Sequence, residues 1–217
     1  MEKTKNFLQI ESLPFIGVKE YLIPDTQRDA RNSQTGNLEA HNHCKSTSST
    51  IAWNFFGKKY GDKCPILKTV ESMGVFNYDS NLRPFLQKYN PVIQRAEKIQ
   101  DWFPHVRMFE EWFKNNNLPF KCNFTNFRMN EQKIYESMKK GFPVILGTMI
   151  TDSGHIVLLY RKLNLNGLDI YVIIDPYGNP LTTPKYINKT ADYYSIPKAT
   201  FDTWVDKSCN CIWFEEK

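Results

Sequence analysis

The sequence has no CxxC pair, no apolar stretch near the ~18 residues that cross a bilayer, and only four histidines in 217 residues. Without CxxC spacing the usual ligand pattern of a zinc site is missing, so composition argues against a metal. Without a long apolar run, no membrane-spanning helix is expected. The opening residues Met1 to Ile10 contain an acid and no continuous apolar segment, so no secretory signal is visible. The expectation is a soluble chain that is cytoplasmic at synthesis, with virion packaging or release by lysis as routes that leave no mark in sequence. Basic runs are missing too. The formal charge of +5 comes from 28 Lys and Arg scattered among 23 acids, which argues against nucleic acid as a partner. There is no internal repeat, low-complexity tract or linker.

What is present suits a folded globule. Hydrophobic residues make up 41% and aromatics 14%, enough to bury a core in one domain of this length. Glu20–Pro24 reads as a short strand, and 25–43 as a long polar loop. Helical spacing then recurs. One helix runs from Cys44 to Phe56 with Gly57 as its stop, others carry Ile66 to Met73 and Leu82 to Leu86, and two more follow from Val92 to Phe113, parted at Pro104. Asn130 can cap a last helix ending at Gly141. Pro143–Gly147, His155–Tyr160 and Leu168–Ile174 read as strands, the last two joined by a turn at Asn164-Leu165-Asn166-Gly167. A short helix over 201–205 and a final strand over 211–214 complete the chain. Helices first and an antiparallel sheet second is an α+β arrangement. The expected organisation is a single domain over 1–217, with an N-terminal extension (1–19), a loop and helix-rich half (20–125) and a sheet-rich half (126–217).

The chemistry sits in three residues. The five cysteines are an odd number, so at least one thiol is free in any intramolecular pairing, and Cys209 and Cys211 are too close to pair with each other. Cys44 ends a polar segment and opens an apolar helix. There the partial positive charge and unpaired N–H groups of the helix N-terminus favour thiolate over thiol. His155 opens an apolar strand and Asp175 closes another. A thiol, an imidazole on a rigid neighbour and a carboxylate to fix its tautomer are what thiol hydrolysis needs, together with donors for an oxyanion. The Cys44 N–H and a side-chain amide from the preceding loop, Gln27 or Gln34, can supply the latter. Each residue also has a plainer reading: Cys44 as a small buried hydrophobe, His155 as a strand-end histidine, Asp175 as a turn residue and Gln27 as an ordinary loop residue. His41, His43 and Cys44 lie within four residues, too tight for one tetrahedral ion. Cys64, Cys122, Cys209 and Cys211 read as structural thiols.

Three blocks carry a family resemblance: Ile23-Pro24-Asp25-Thr26-Gln27-Arg28-Asp29; Asn42-His43-Cys44-Lys45-Ser46-Thr47-Ser48; and Gly154-His155-Ile156-Val157 with Asp175-Pro176-Tyr177-Gly178. In this order they resemble the papain-like cysteine peptidases, and within them the bacterial and phage branch related to bacteriocin leader (double-glycine) peptidases. The resemblance implies a papain-like α+β fold, with the nucleophile helix packed on an antiparallel sheet. It implies Cys44 as nucleophile, His155 as base and acid, Asp175 as orienting partner and Gln27 at the oxyanion hole, with Gln34 or Asn42 as alternatives. Lys45 departs from the pattern, since a glycine often follows the cysteine in related enzymes. The implied reaction is hydrolysis of a peptide or isopeptide bond through an acyl-thioester, with no cofactor, on a polypeptide or a peptidoglycan stem. Two other readings keep the fold without the chemistry: an inactive peptide-binding or protein-binding module, and a virion-associated structural protein.

Overall fold

The structure, a computed structural model, describes residues 44–60, 102–125, 131–152, 154–186, 192–205 and 210–217. The elements expected at 20–24, 66–73, 82–86 and 92–101 lie outside them. In chain order the described elements are α1 (Cys44–Tyr60), α2 (Phe103–Asn115), β1 (Phe120–Thr125), α3 (Glu131–Lys139), β2 (Val144–Thr148), β3 (His155–Leu165), β4 (Leu168–Asp175), β5 (Asp192–Pro197), α4 (Lys198–Trp204) and β6 (Cys211–Glu216). The strands form one sheet in the order β1-β6-β2-β3-β4-β5, antiparallel at every step. This is an α+β fold.

Both faces of the sheet are covered. On one face α1 and α2 pack over Ile145, Leu158, Tyr160, Val172, Ile174, Ile212 and Phe214. On the other, α3 supplies Ile134 and Met138 and α4 supplies Phe201, over Val144, Leu146, Val157, Leu159, Tyr171 and Ile173. A strand covered on both sides has no polar face to show, which is why Ile170 to Asp175 are buried without a break.

Helix α1 is enclosed nearly all round, and its sequence is built for that. Its N-terminal half is small and hydroxylated: Thr47, Ser48, Ser49 and Thr50 are fully buried. Short side chains let the helix approach both neighbours closely, and buried hydroxyls need partners. Ser48 Oγ donates to the Ile156 carbonyl at 3.3 Å, and Ser49 Oγ meets His105 Nδ1 of α2 at 2.8 Å. The C-terminal half delivers bulk through Trp53, Phe55 and Phe56. Trp53 stacks on Trp112 at 4.1 Å, and Phe56 meets the rings of Phe109, Trp112, Phe113, Phe120, Phe142 and Phe214 at 4.7–6.4 Å.

Several local expectations change. Gly57 does not stop α1, which continues to Tyr60. Glycine inside a helix costs about 1 kcal/mol against alanine. That is outweighed here by the packing of Tyr60 on Phe120 at 4.6 Å and by Lys58 and Lys59 near the negative end of the helix. Pro104 sits in the first turn of α2, where its missing N–H leaves no bond unmade. Strand β1 lies between the helices expected to end at Phe113 and to begin at Asn130, and β5 likewise falls where the sequence marks no element; both are sheet edges. Gly141 does close α3. At φ 83° its N–H reaches the Met138 carbonyl while that of Phe142 reaches Ser137, the paired bonds of a Schellman cap. Asn166 and Gly167, both at positive φ, form the two-residue turn between β3 and β4.

Phe56→Ala removes the ring on which α1, α2 and three strand-side phenylalanines converge. It is expected to lower the unfolding free energy by about 3–5 kcal/mol, measurable by denaturant unfolding.

Candidate active site

His155 begins β3 and Asp175 ends β4, its antiparallel neighbour. Leu158 is registered with Ile174, and continuing that alternation sets His155 and Asp175 on the same face at the same end of the sheet. The side chains meet there: His155 Nε2 lies 2.6 Å from Asp175 Oδ1. Backbone details hold His155 in place. Gly154 takes φ 82°, Thr148 Oγ1 donates to the His155 carbonyl at 2.9 Å, and Thr151 Oγ1 donates to the Gly154 carbonyl at 2.7 Å.

The N-terminal turn of α1 lies against the start of β3. Cys44 is its first residue and is partly exposed, whereas Cys122 and Cys211 are buried. Hydrogen bonding and charge from the His155 side chain act on the Cys44 thiol. Because Nε2 is engaged by Asp175, the ring nitrogen facing sulfur is Nδ1. Thiol, imidazole and carboxylate therefore form one chain of contacts.

The electrostatics follow from that chain. Burial by itself pushes the Cys44 thiol up. The hydrogen bond and charge of His155, with bonds from the Ile156 and Lys45 backbone, outweigh it and lower the pKa below the ordinary 9.0. Burial by itself pulls His155 down. Hydrogen bonds to Asp175 and Cys44 and the charges of both overcome this and raise it from 6.5 to about 10. Both shifts favour a thiolate–imidazolium pair, in which each charge supports the other. Cys122 behaves oppositely: burial, with Glu110 and Cys211 nearby, pushes its thiol well above the ordinary range. A buried thiol of that kind is chemically inert.

Asp175 is fully buried, and both its oxygens are engaged. Oδ1 also accepts the Tyr177 N–H at 2.7 Å, while Oδ2 faces the hydroxyls of Tyr194 at 3.3 Å and Tyr186 at 3.5 Å. The rings of Tyr177 and Tyr186 stand edge-on to His155, with centroids at 6.1 and 6.4 Å. Sequence reading did not single out Tyr186, Tyr194 or Thr148. Thr148 gains its place through the pairing of β2 with β3, and Tyr194 and Tyr186 through β5 and the 176–186 segment folding back on the site, and no local pattern announces that.

Lys45, which departs from the family pattern, is buried, with its ammonium 5.8 Å from the centre of the Trp102 ring. Its positive charge, added to burial, holds His105 well below the ordinary histidine range. The side chain thus runs into the α1–α2 interface, while its backbone serves the Cys44 sulfur. Gln27, Gln34, Asn42, His41, His43, Cys64 and Cys209 lie outside the described residues. The Cys44 N–H is among the helix-terminal donors that lack an intrahelical acceptor. Among the described residues, no group of three or more His, Cys, Asp or Glu is placed to hold a metal ion, and no helix is long and apolar enough to cross a membrane.

No family model and no curated protein matches the chain. Among solved structures, UfSP from C. elegans aligns with a TM-score of 0.43 and 17% identity, over 87% of this chain and 32% of that one. The chain therefore spans about a third of that protein's length.

Asp175→Asn removes one of the charges that raise His155. In the native chain the imidazole is expected to keep its proton to about pH 10, and in the variant to lose it at clearly lower pH. Imidazole nitrogen chemical shifts followed across pH check this; an unchanged titration contradicts the assigned role of Asp175.

Proposed function

We propose that the chain is a papain-like cysteine peptidase whose triad is Cys44, His155 and Asp175. The observation that carries this reading is His155 Nε2 at 2.6 Å from Asp175, beside a helix-opening Cys44 whose thiol pKa the His155 side chain lowers by hydrogen bonding and charge. Helix α1 led by the cysteine and packed on an antiparallel sheet that presents the histidine is the arrangement the family resemblance implies.

The Cys44 thiolate attacks the carbonyl carbon of an amide, forming a C–S bond and pushing the electron pair onto oxygen. The Cys44 N–H and Gln27 are assigned to that oxyanion. Collapse of the intermediate breaks the C–N bond as His155 gives its Nδ1 proton to the leaving amine. Water then attacks the thioester while His155 takes its proton. The acid departs and the thiolate–imidazolium pair is restored. Asp175 keeps Nε2–H directed at itself, and so fixes Nδ1 as the proton-transferring nitrogen.

The three blocks that resemble bacteriocin leader peptidases favour a polypeptide substrate, cut at a peptide or isopeptide bond. A peptidoglycan stem is the second substrate class, because the same acyl chemistry serves it. A non-catalytic binding module would have no use for a lowered thiol pKa, and neither would a virion structural protein.

Fluorogenic peptides and isolated stem peptides, with products identified by mass spectrometry, test the proposal. The native chain is expected to hydrolyse at least one class. Cys44→Ala should abolish turnover, and His155→Ala should lower it by about 10³-fold or more. Hydrolysis that survives Cys44→Ala contradicts the assignment, and tight peptide binding without cleavage would point to the binding module.

A further inference from the structure

Asp175 is buried without exposure, so how its second oxygen is satisfied decides how firmly the first is aimed at His155. Oδ1 carries the two short bonds, from His155 Nε2 at 2.6 Å and the Tyr177 N–H at 2.7 Å. Oδ2 faces two phenol hydroxyls that come from different parts of the chain. Tyr194 is carried by β5, which pairs with β4 alongside Asp175, and its hydroxyl lies 3.3 Å away. Tyr186 comes from the segment after β4, at 3.5 Å.

That segment is built to bring Tyr186 back. Asn179 organises its turn: Oδ1 accepts the Leu181 N–H at 2.9 Å, and the carbonyl accepts Thr182 Oγ1 at 2.9 Å and the Tyr186 N–H at 3.2 Å. Lys185 Nζ then ties the segment to the loop ahead of β3 by donating to the Ile150 carbonyl at 2.6 Å. Tyr186 itself takes φ 60°, a conformation that its Cβ disfavours and that the surroundings must impose. Its ring meets Tyr177 edge-on at 5.1 Å and covers His155.

We propose that Tyr194 and Tyr186 are positioning residues, a two-hydroxyl latch on Asp175 Oδ2 that keeps the carboxylate turned so that Oδ1 holds the His155 ring against Cys44. This rests on the triad reading above and adds to it. Both hydroxyls act through Asp175, and Tyr186 also sets its ring edge-on to His155. Without the latch, Oδ2 is left poorly satisfied in a buried site, the carboxylate can rotate, and the imidazole loses its fixed orientation.

The test is the full chain carrying Tyr186→Phe, Tyr194→Phe or both, compared with the native chain and with Tyr135→Phe on the far helix α3 as a control. Two readouts are taken: the rate of Cys44 alkylation by iodoacetamide at neutral pH, and the low-field proton resonance of the His155 Nε2–H. The double variant is expected to alkylate roughly tenfold more slowly, the scale of one lost hydrogen bond to a charged group. Its low-field proton should shift upfield or broaden through exchange with water, while Tyr135→Phe changes neither. If Tyr194→Phe does not fold, Tyr186→Phe carries the same expectation at smaller amplitude. A native thiol that reacts strongly, together with a double variant matching it in rate and proton shift, overturns the latch and leaves the triad standing. A native thiol no more reactive than an ordinary free cysteine overturns both.

Discussion

The 2.6 Å contact between His155 and Asp175 is the constraint around which the rest is arranged. A carboxylate with no exposure and a nearly buried imidazole lose hydration that only mutual pairing and further hydrogen bonds can replace. Their meeting requires β3 and β4 to pair in one register, because a slip of one residue would send one of the two to the opposite face. The Asn166–Gly167 turn sets the pairing only as far as Arg161 with Val172, and a one-residue shift between Leu159 and Arg161 then gives the register that puts His155 and Asp175 on one face. The tyrosine hydroxyls and the Tyr177 N–H close the carboxylate's remaining positions from the near end.

Cys44 joins this pair through helix packing. The small hydroxylated turn of α1 lets the helix N-terminus sit on the first residues of β3, where the Ile156 backbone serves both Ser48 and the Cys44 sulfur. The aromatic cluster at the other end of α1 anchors the helix against α2 and three sheet-side phenylalanines. One helix therefore does two things: its bulky end sets its position, and its small end delivers the thiol. The opposing effects of burial on the two groups are resolved in the same direction. Desolvation penalises thiolate and imidazolium alike, yet the imidazolium supports the thiolate and is itself held by Asp175 and by Cys44.

Much of this was legible in the sequence because it is written in local signals. The α+β order, the Asn-Gly hairpin, the Gly141 cap and the residues Cys44, His155 and Asp175 each stand next to an apolar run or a turn residue that marks their place. Less legible was whatever depends on distant partners. Gly57 reads as a stop because glycine disfavours helix, and the packing of Tyr60 on Phe120 together with Lys58 and Lys59 at the negative end carries the helix past it. Strand β1, Phe120-Lys121-Cys122-Asn123-Phe124-Thr125, is buried only at Phe120 and Cys122 and has too few β-branched residues to stand out. In Asp192-Tyr193-Tyr194-Ser195-Ile196-Pro197 the serine and proline dilute the strand signal of β5. Tyr186 and Tyr194 gain their place at the site only when the 176–186 segment and β5 fold back onto Asp175.

The account turns on Cys44 being a thiolate paired with a protonated His155, and the rate of Cys44 alkylation as a function of pH tests that most directly. With the thiol lowered and the imidazole raised, the native rate should persist to clearly lower pH than that of an ordinary thiol, and His155→Ala should return the profile to the ordinary one. A native profile that already falls away below the ordinary thiol pKa, unaltered by His155→Ala, would contradict the pairing.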